Sequence, residues 1–171
     1  MASPTTTPLP AWARRAFAAP NAVYDRGLGR LLGHRFLQLV HTGRRTGVRH
    51  RAVLEVLSYD ARTGEAVVIA GMGPNADWLR NLRAGRAAWV SFGRGPRPAT
   101  WRAVGDQEAI DILRAYEQRY GPLRPMLRRL LRDLAGFDYR DTDEARRRLP
   151  HRLPLVALRP SVHTPDGSPR T

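Results

Sequence analysis

The chain has 171 residues, a formal net charge of +14 and an apolar fraction of 42%: long enough for one domain with a proper core, and too apolar for global disorder. It contains no cysteine, which excludes disulfides, thiolate metal sites and cysteine nucleophiles. No stretch reaches the roughly 18 consecutive apolar residues of a membrane span, and the start, MASPTTTPLP, lacks the charged and apolar regions of a secretory signal, so a cytoplasmic location is expected.

All 29 basic residues are arginine. GC-rich coding also produces that bias, and most of these arginines read as solvated surface. A field of this sign attracts anions of any kind, so position rather than total charge has to identify the partner.

Residues 1–10 and 161–171 are rich in Pro, Ser and Thr and are expected to be disordered tails, leaving 11–160 as a single domain. AWARRAFA (11–18) and a stretch from Asn21 to Leu32 have helical spacing, with Gly33 as a stop. The period then changes. RFLQLVH (35–41) and RAVLEVLSY (51–59) read as strands joined by a glycine-bracketed turn, and EAVVIA (65–70) reads as a short buried strand after the turn DARTG.

GMGPN breaks the pattern, and ADWLRNLRAG (76–85) reads as a helix with Asn75 as N-cap, Asp77 in the first turn and Gly85 at the end. RAAWVSF (86–92) and PATWRAV (98–104) form a hairpin about GRGPR, helices follow at 107–119 and 123–134, and RLPLVALRP (152–160) closes the pattern as a last strand. Hairpin-linked strands with interspersed helices predict an α+β fold with a mainly antiparallel sheet or barrel. A doubly wound fold is disfavoured because strands and helices do not alternate regularly, and no G-x-G-x-x-G follows a strand.

Two stretches have the composition of a site. In TGRRTG (42–47) the glycines permit close backbone approach and exposed amides, Arg44 and Arg45 offer planar donors to phosphate or carboxylate, and Thr46 adds a hydroxyl. A solvated hairpin turn with incidental arginines accounts for the same residues. In AGMGPNADWLRNL (70–82) a buried strand ends in two glycines before a helix, which places amides beside a ligand or ring edge. Trp78 there is either a core anchor or a ligand wall.

TGRRTG, a pair of strands, the glycine-bearing loop and ADWLRNL, in this order and followed by RLPLVALRP, resemble the deazaflavin-dependent nitroreductase family over about residues 20–160. The resemblance implies a split β-barrel of about six strands with flanking helices, and an oxidoreductase that transfers a hydride from reduced coenzyme F420 to a quinone, enone or nitro compound. It assigns the phosphate and polyglutamate tail of that cofactor to Arg44, Arg45, Thr46 and Gly47, with Arg49, His50 and Arg51 nearby, and the ring to Ala70, Gly71, Met72, Gly73 and Trp78. This chain departs from the family where relatives carry lysines: Arg45 keeps the charge and Met72 loses it. His50, Arg51 and Ala52 replace an arginine and threonine-proline stretch, and Leu79 follows the tryptophan in place of tyrosine.

Deazaflavin chemistry needs orientation and electrostatics rather than a triad, and the histidines (34, 41, 50, 151, 163) have no metal or nucleophile spacing. Tyr116 and Tyr120, i and i+4 on one helical face, are the candidate catalytic pair at the substrate wall, and equally an ordinary aromatic pair. Split barrels also bind flavin mononucleotide (FMN) or haem, so FMN stands as the alternative cofactor. A small molecule is the expected partner, with no specific nucleic acid; an arginine-rich protein that binds nucleic acid or a membrane surface without catalysis is the alternative of a different class. LRPMLRRLLRDLAG (123–136) carries four arginines but also a broad apolar face, typical of a packed helix. That helix and the Trp12–Phe17 stretch leave peripheral membrane contact open, and both monomer and homodimer are compatible with the pattern.

Overall fold

The computed structural model describes residues 33–93 and 95–161. The two helical stretches expected before Gly33, the N-terminal tail and residues 162–171 of the C-terminal tail lie outside the described residues.

Six strands, β1 (Phe36–Thr42), β2 (Arg49–Asp60), β3 (Glu65–Ile69), β4 (Ala88–Ser91), β5 (Arg97–Ala103) and β6 (Leu155–Pro160), close into a barrel in the order β1-β2-β3-β6-β5-β4. Every pairing is antiparallel. Four helices are described: α1 (Asp77–Arg83), α2 (Asp106–Tyr120), α3 (Arg124–Ala135) and α4 (Asp143–Arg152). The α+β split barrel expected from the sequence is therefore the observed architecture.

Strand alternation creates two cores. Leu37, Leu39, Val56, Val68, Val90 and Leu158 point into the barrel, where Trp78, Leu79 and Leu82 of α1 join them. On the outer face, Leu57, Val67, Leu155 and Ala157 pack against α2, α3 and α4. Alternation places Val56 inward and Leu57 outward on the long β2, and its register against β3 then shifts between Val56 and Ser58. The extra residue returns Tyr59 to the interior cluster.

Two local expectations need correction. Asn75 does not cap α1: it ends a 3-10 turn over Gly73–Asn75, and Ala76 occupies the cap position without a side-chain bond. Pro74 and the left-handed Gly73 (φ +72°) tighten the chain there and displace the helix start. Helix α4 is absent from the periodicity, because DEARRRLPHR is strongly polar and has an internal Pro150. Its start is nonetheless conventional, with Thr142 Oγ1 accepting from the Ala145 N–H at 3.2 Å and two acidic residues in the first turn.

Helix α4 is joined to α2 by a buried ionic cluster. Glu117 (2% exposed) accepts from Arg146 (7% exposed) and from the Tyr139 hydroxyl. Burial, and then the adjacent carboxylate, push the Tyr139 hydroxyl up, so it stays protonated and donates. Arg146 also donates to Asp143 at 2.7 Å, which links the cluster to the surface.

Candidate functional site

The β1–β2 turn is built by its glycines. Gly43 donates to Val48 O at 2.8 Å and accepts from the Gly47 N–H at 2.9 Å. Gly47 has φ +68°, a conformation that favours glycine. A Cβ on Gly43 would lie 2.9 Å from Thr46 Oγ1 and 3.3 Å from Val48 O, so the close approach itself requires glycine. Thr46 Oγ1 accepts from the Val48 N–H at 3.3 Å, within the same turn.

Arg44 and Arg45 play different parts. Arg44 docks the turn onto α1: its N–H and its Nη1 each donate to Asn81 Oδ1 at 3.0 Å, and Nη1 reaches Asp77 Oδ1 at 3.2 Å. Arg86 Nη2 donates to Arg44 O at 3.0 Å and clamps the turn from the other side. Arg45 and Arg51 are exposed and form no ion pair among the described residues. Their guanidiniums are available to an external anion.

Beneath the turn, Asn81 Oδ1 is occupied by Arg44, which orients the amide so that Nδ2 donates to His41 Nδ1 at 2.9 Å. His41 (4% exposed) is thereby held neutral, with its proton on Nε2. Burial first, and the stacked His50 ring second, hold its pKa below the ordinary value, while Asp77 opposes them. The unfolded chain binds this proton more readily than the folded one. The corresponding stability is therefore complete above the unfolded value of about 6.5 and is lost as pH falls through the lower folded value. Urea unfolding from pH 7.5 down to pH 5 is expected to show a falling midpoint in the wild type and a shallower fall in His41→Gln; equal slopes would remove His41 as the cause.

The turn and α1 enclose an open cleft of about 710 Å³, whose walls include His50, Arg44, Arg45, Thr46 and Asp77. A second cavity of about 370 Å³ lies on the outer face of β2 under α2 and α3, lined mainly by apolar residues such as Leu57, Leu113, Leu127 and Leu131. Arg51, Ala52, Met72 and Trp78 line both. A charged cleft therefore adjoins an apolar pocket.

Arg44, Arg45, Thr46, Arg51, Met72 and Trp78 are brought together around the cleft, and Gly71 lines the apolar pocket beside them. A Cβ on Gly71 would meet nothing within 4 Å, so its contribution is open space at the pocket wall. Trp78 is both a core residue (8% exposed) and a wall of both cavities. Gly47, Arg49, Ala70 and Gly73 line neither cavity. The Arg49 guanidinium lies 4.5 Å over the Trp89 ring. Ala70 is fully buried in the barrel, with its N–H donating to Pro154 O at 2.9 Å. Gly73 is required by packing, since a Cβ there would lie 3.1 Å from Arg152 O.

Tyr116 and Tyr120 stand apart from the cleft. Their hydroxyls are 3.2 Å from each other, and Tyr120 donates to Glu55 Oε1 at 2.7 Å. Tyr116 (5% exposed) and Glu55 line the apolar pocket and also a third cavity of about 450 Å³ that contains Tyr120, Arg35 and Arg119. Burial, and then the Glu55 charge, push the Tyr116 hydroxyl well up; burial also raises Tyr120.

Glu55, His41 and Asn81 escape the motif reading. Glu55 has a visible signal, an acid set among apolar residues in VLEVL. Asn81 and His41 have none, because each becomes informative only through the other. Among the described residues no group of three or more His, Asp or Glu is poised to hold a metal, and no helix is long and apolar enough to cross a membrane.

No family model and no curated protein matches the chain. Solved structures do. One is an F420-H2 dependent reductase, 16% identical, with 72% of this chain and 93% of that one covered and a TM-score of 0.46. A second, described as a domain-swapped dimer, is also 16% identical, with 86% and 96% covered and a TM-score of 0.48. A third is a pyridoxamine 5'-phosphate oxidase-related, FMN binding protein from Nostoc punctiforme PCC 73102, 15% identical, with 89% and 81% covered and a TM-score of 0.38. The class that the chain's own coordinates define is a helix-flanked, six-stranded split barrel.

Proposed function

We propose that this protein is a coenzyme F420-dependent oxidoreductase that passes a hydride to an electron-poor organic acceptor such as a quinone, enone or nitro compound. The observation that carries the reading is the junction of the two cavities: a cleft in which Arg45 and Arg51 form no ion pair among the described residues shares Arg51, Ala52, Met72 and Trp78 with an apolar pocket. A ligand with a long anionic tail and a flat heterocycle matches that junction in charge and shape. Arg45 and Arg51 would hold the phosphate and carboxylates, Arg44 would keep the turn in place, and Gly71 would leave room for the ring. A bound reduced deazaflavin supplies the hydride. The leucine-lined pocket would exclude water and hold the acceptor.

FMN is the second reading. It carries one phosphate, whereas the cleft offers Arg45, Arg51 and His50 over about 710 Å³, which favours a longer polyanion. Helix α3 buries Leu127 and Leu131 and ties Arg128 to Asp141 at 2.6 Å, features that support a packed surface helix over a nucleic-acid reader.

Purified protein mixed with reduced F420 and, separately, with quinone, enone and nitroaromatic acceptors is expected to reoxidise the cofactor, read as recovery of its absorbance. Reoxidation no faster than without protein, across all three acceptor classes, would contradict the proposal.

A further inference from the structure

We infer that Glu55, Tyr120 and Tyr116 form a proton relay between the third cavity (the outer cavity) and the apolar pocket, with Glu55 as its entry point for protons from solvent. The inference rests on the reading of the apolar pocket as the place where the acceptor is reduced.

Glu55 comes from β2, and both tyrosines come from α2, which crosses the outer face of that strand. The three oxygens form a chain: Glu55 Oε1 to Tyr120 O at 2.7 Å and Tyr120 O to Tyr116 O at 3.2 Å. Tyr116 and Glu55 border both cavities, whereas Tyr120 borders the outer one alone. A carboxyl on the outer face of a barrel strand, under a helix and beside leucines, is a costly placement unless it is hydrogen-bonded. Stability does not call for it, since an apolar residue there would extend the surrounding cluster.

Hydride reduction of a polarised double bond leaves an anion that needs one proton. In the reducing direction the Tyr116 O–H bond breaks and the proton bonds to the acceptor's anionic atom. Tyr116 takes the proton of Tyr120, the Glu55 carboxylate picks up a proton from solvent in the outer cavity, and Glu55 passes that proton to Tyr120. The acceptor gains a hydride and a proton, and the reductant is the reduced deazaflavin. With Glu55 ionised the hydroxyls point the other way, Tyr116 to Tyr120 to Glu55, and the same chain removes a proton from the pocket. A phenol held strongly against ionisation, as Tyr116 is, releases its proton only as it receives another, which suits a relay rather than a lone acid.

Two measurements test this. The first needs no cofactor: side-chain carboxyl carbon NMR of labelled glutamate, recorded at one pH in wild type, Tyr120→Phe and Tyr116→Phe. The Glu55 carboxyl resonance is expected to move in Tyr120→Phe, which loses the donor at 2.7 Å, and to move less in Tyr116→Phe. A Glu55 resonance unchanged in both variants would overturn the relay. The second is turnover with reduced F420 and an enone. Glu55→Gln, which keeps a hydrogen-bond acceptor for Tyr120, is expected to lower kcat by about 100-fold and leave the Kd for F420 unchanged. Wild-type kcat in Glu55→Gln would also overturn it. Failure of the protein to bind F420 would instead strike the functional reading, and the NMR arm would still decide whether the three groups are coupled.

Discussion

Alanine at both Arg45 and Arg51 is expected to weaken binding of coenzyme F420 by roughly two to four orders of magnitude. The two guanidiniums face the cleft and form no ion pair among the described residues. Each would supply a charge-assisted hydrogen bond, worth about 1.5–3 kcal/mol, and nothing in the turn replaces them. The loss should be larger at low salt, because the cleft is open and exposed attractions are screened within about 10 Å at 0.1 M. Fluorescence titrations of wild type and double variant at several salt concentrations would show convergent affinities as salt rises. Equal affinity at low salt would place the anionic tail elsewhere. Arg44→Ala is a different experiment, since Arg44 bonds to Asn81 and Asp77 at 3.0 and 3.2 Å. It would loosen the turn as well as remove a charge.

The largest expected effect on stability is at Glu117. Replacing it with alanine leaves Arg146 with only Asp143 and leaves Tyr139 without its acceptor, in a site where Glu117 is 2% and Arg146 7% exposed. Removing one member of a buried pair costs about 3–5 kcal/mol, which for a chain of this size lowers Tm by roughly 6–20 °C. The double variant Glu117→Leu/Arg146→Met should recover much of that loss, because an apolar pair carries no uncompensated charge. A thermal melt of Glu117→Ala within about 2 °C of wild type would mean the cluster contributes little to stability. Double-variant losses equal to the sum of the singles would mean the two groups act independently.

How far the fold could be read in advance depended on how local its signals were. The barrel strands alternate clearly and are rich in Val and Leu, and α2 and α3 keep a helical period, so each was legible from its own residues. Helix α4 was not, because its burial comes through Ala145, Arg146 and Leu149 in a segment otherwise charged and containing Pro150. An arginine that will be buried looks the same in sequence as one that will be solvated.

The candidate site divides in the same way. Glycines 43 and 47 and the exposed arginines were legible as a cradle because turn chemistry is local. The distinct parts of Arg44 and Arg45 were not. They are adjacent and identical, and what separates them is Asn81, 37 positions away. Glu55 and Tyr120, 65 positions apart, meet only because α2 crosses β2. The packing reason for Gly73, the Arg152 carbonyl 3.1 Å from where a Cβ would lie, was not legible, because the two residues are far apart in the chain.

The central claim is that the arginine turn and the apolar pocket hold one cofactor between them. Its most direct test is equilibrium titration of the purified protein with oxidised F420, with FMN in parallel, following cofactor fluorescence and quenching of the tryptophans, Trp78 among them. Saturable binding of F420, with one site per chain, a salt-dependent Kd and weaker or absent binding of FMN, is the predicted result. Saturable binding of FMN with none of F420 would contradict the cofactor assignment, and binding of neither would contradict the claim that this junction is a deazaflavin or flavin site.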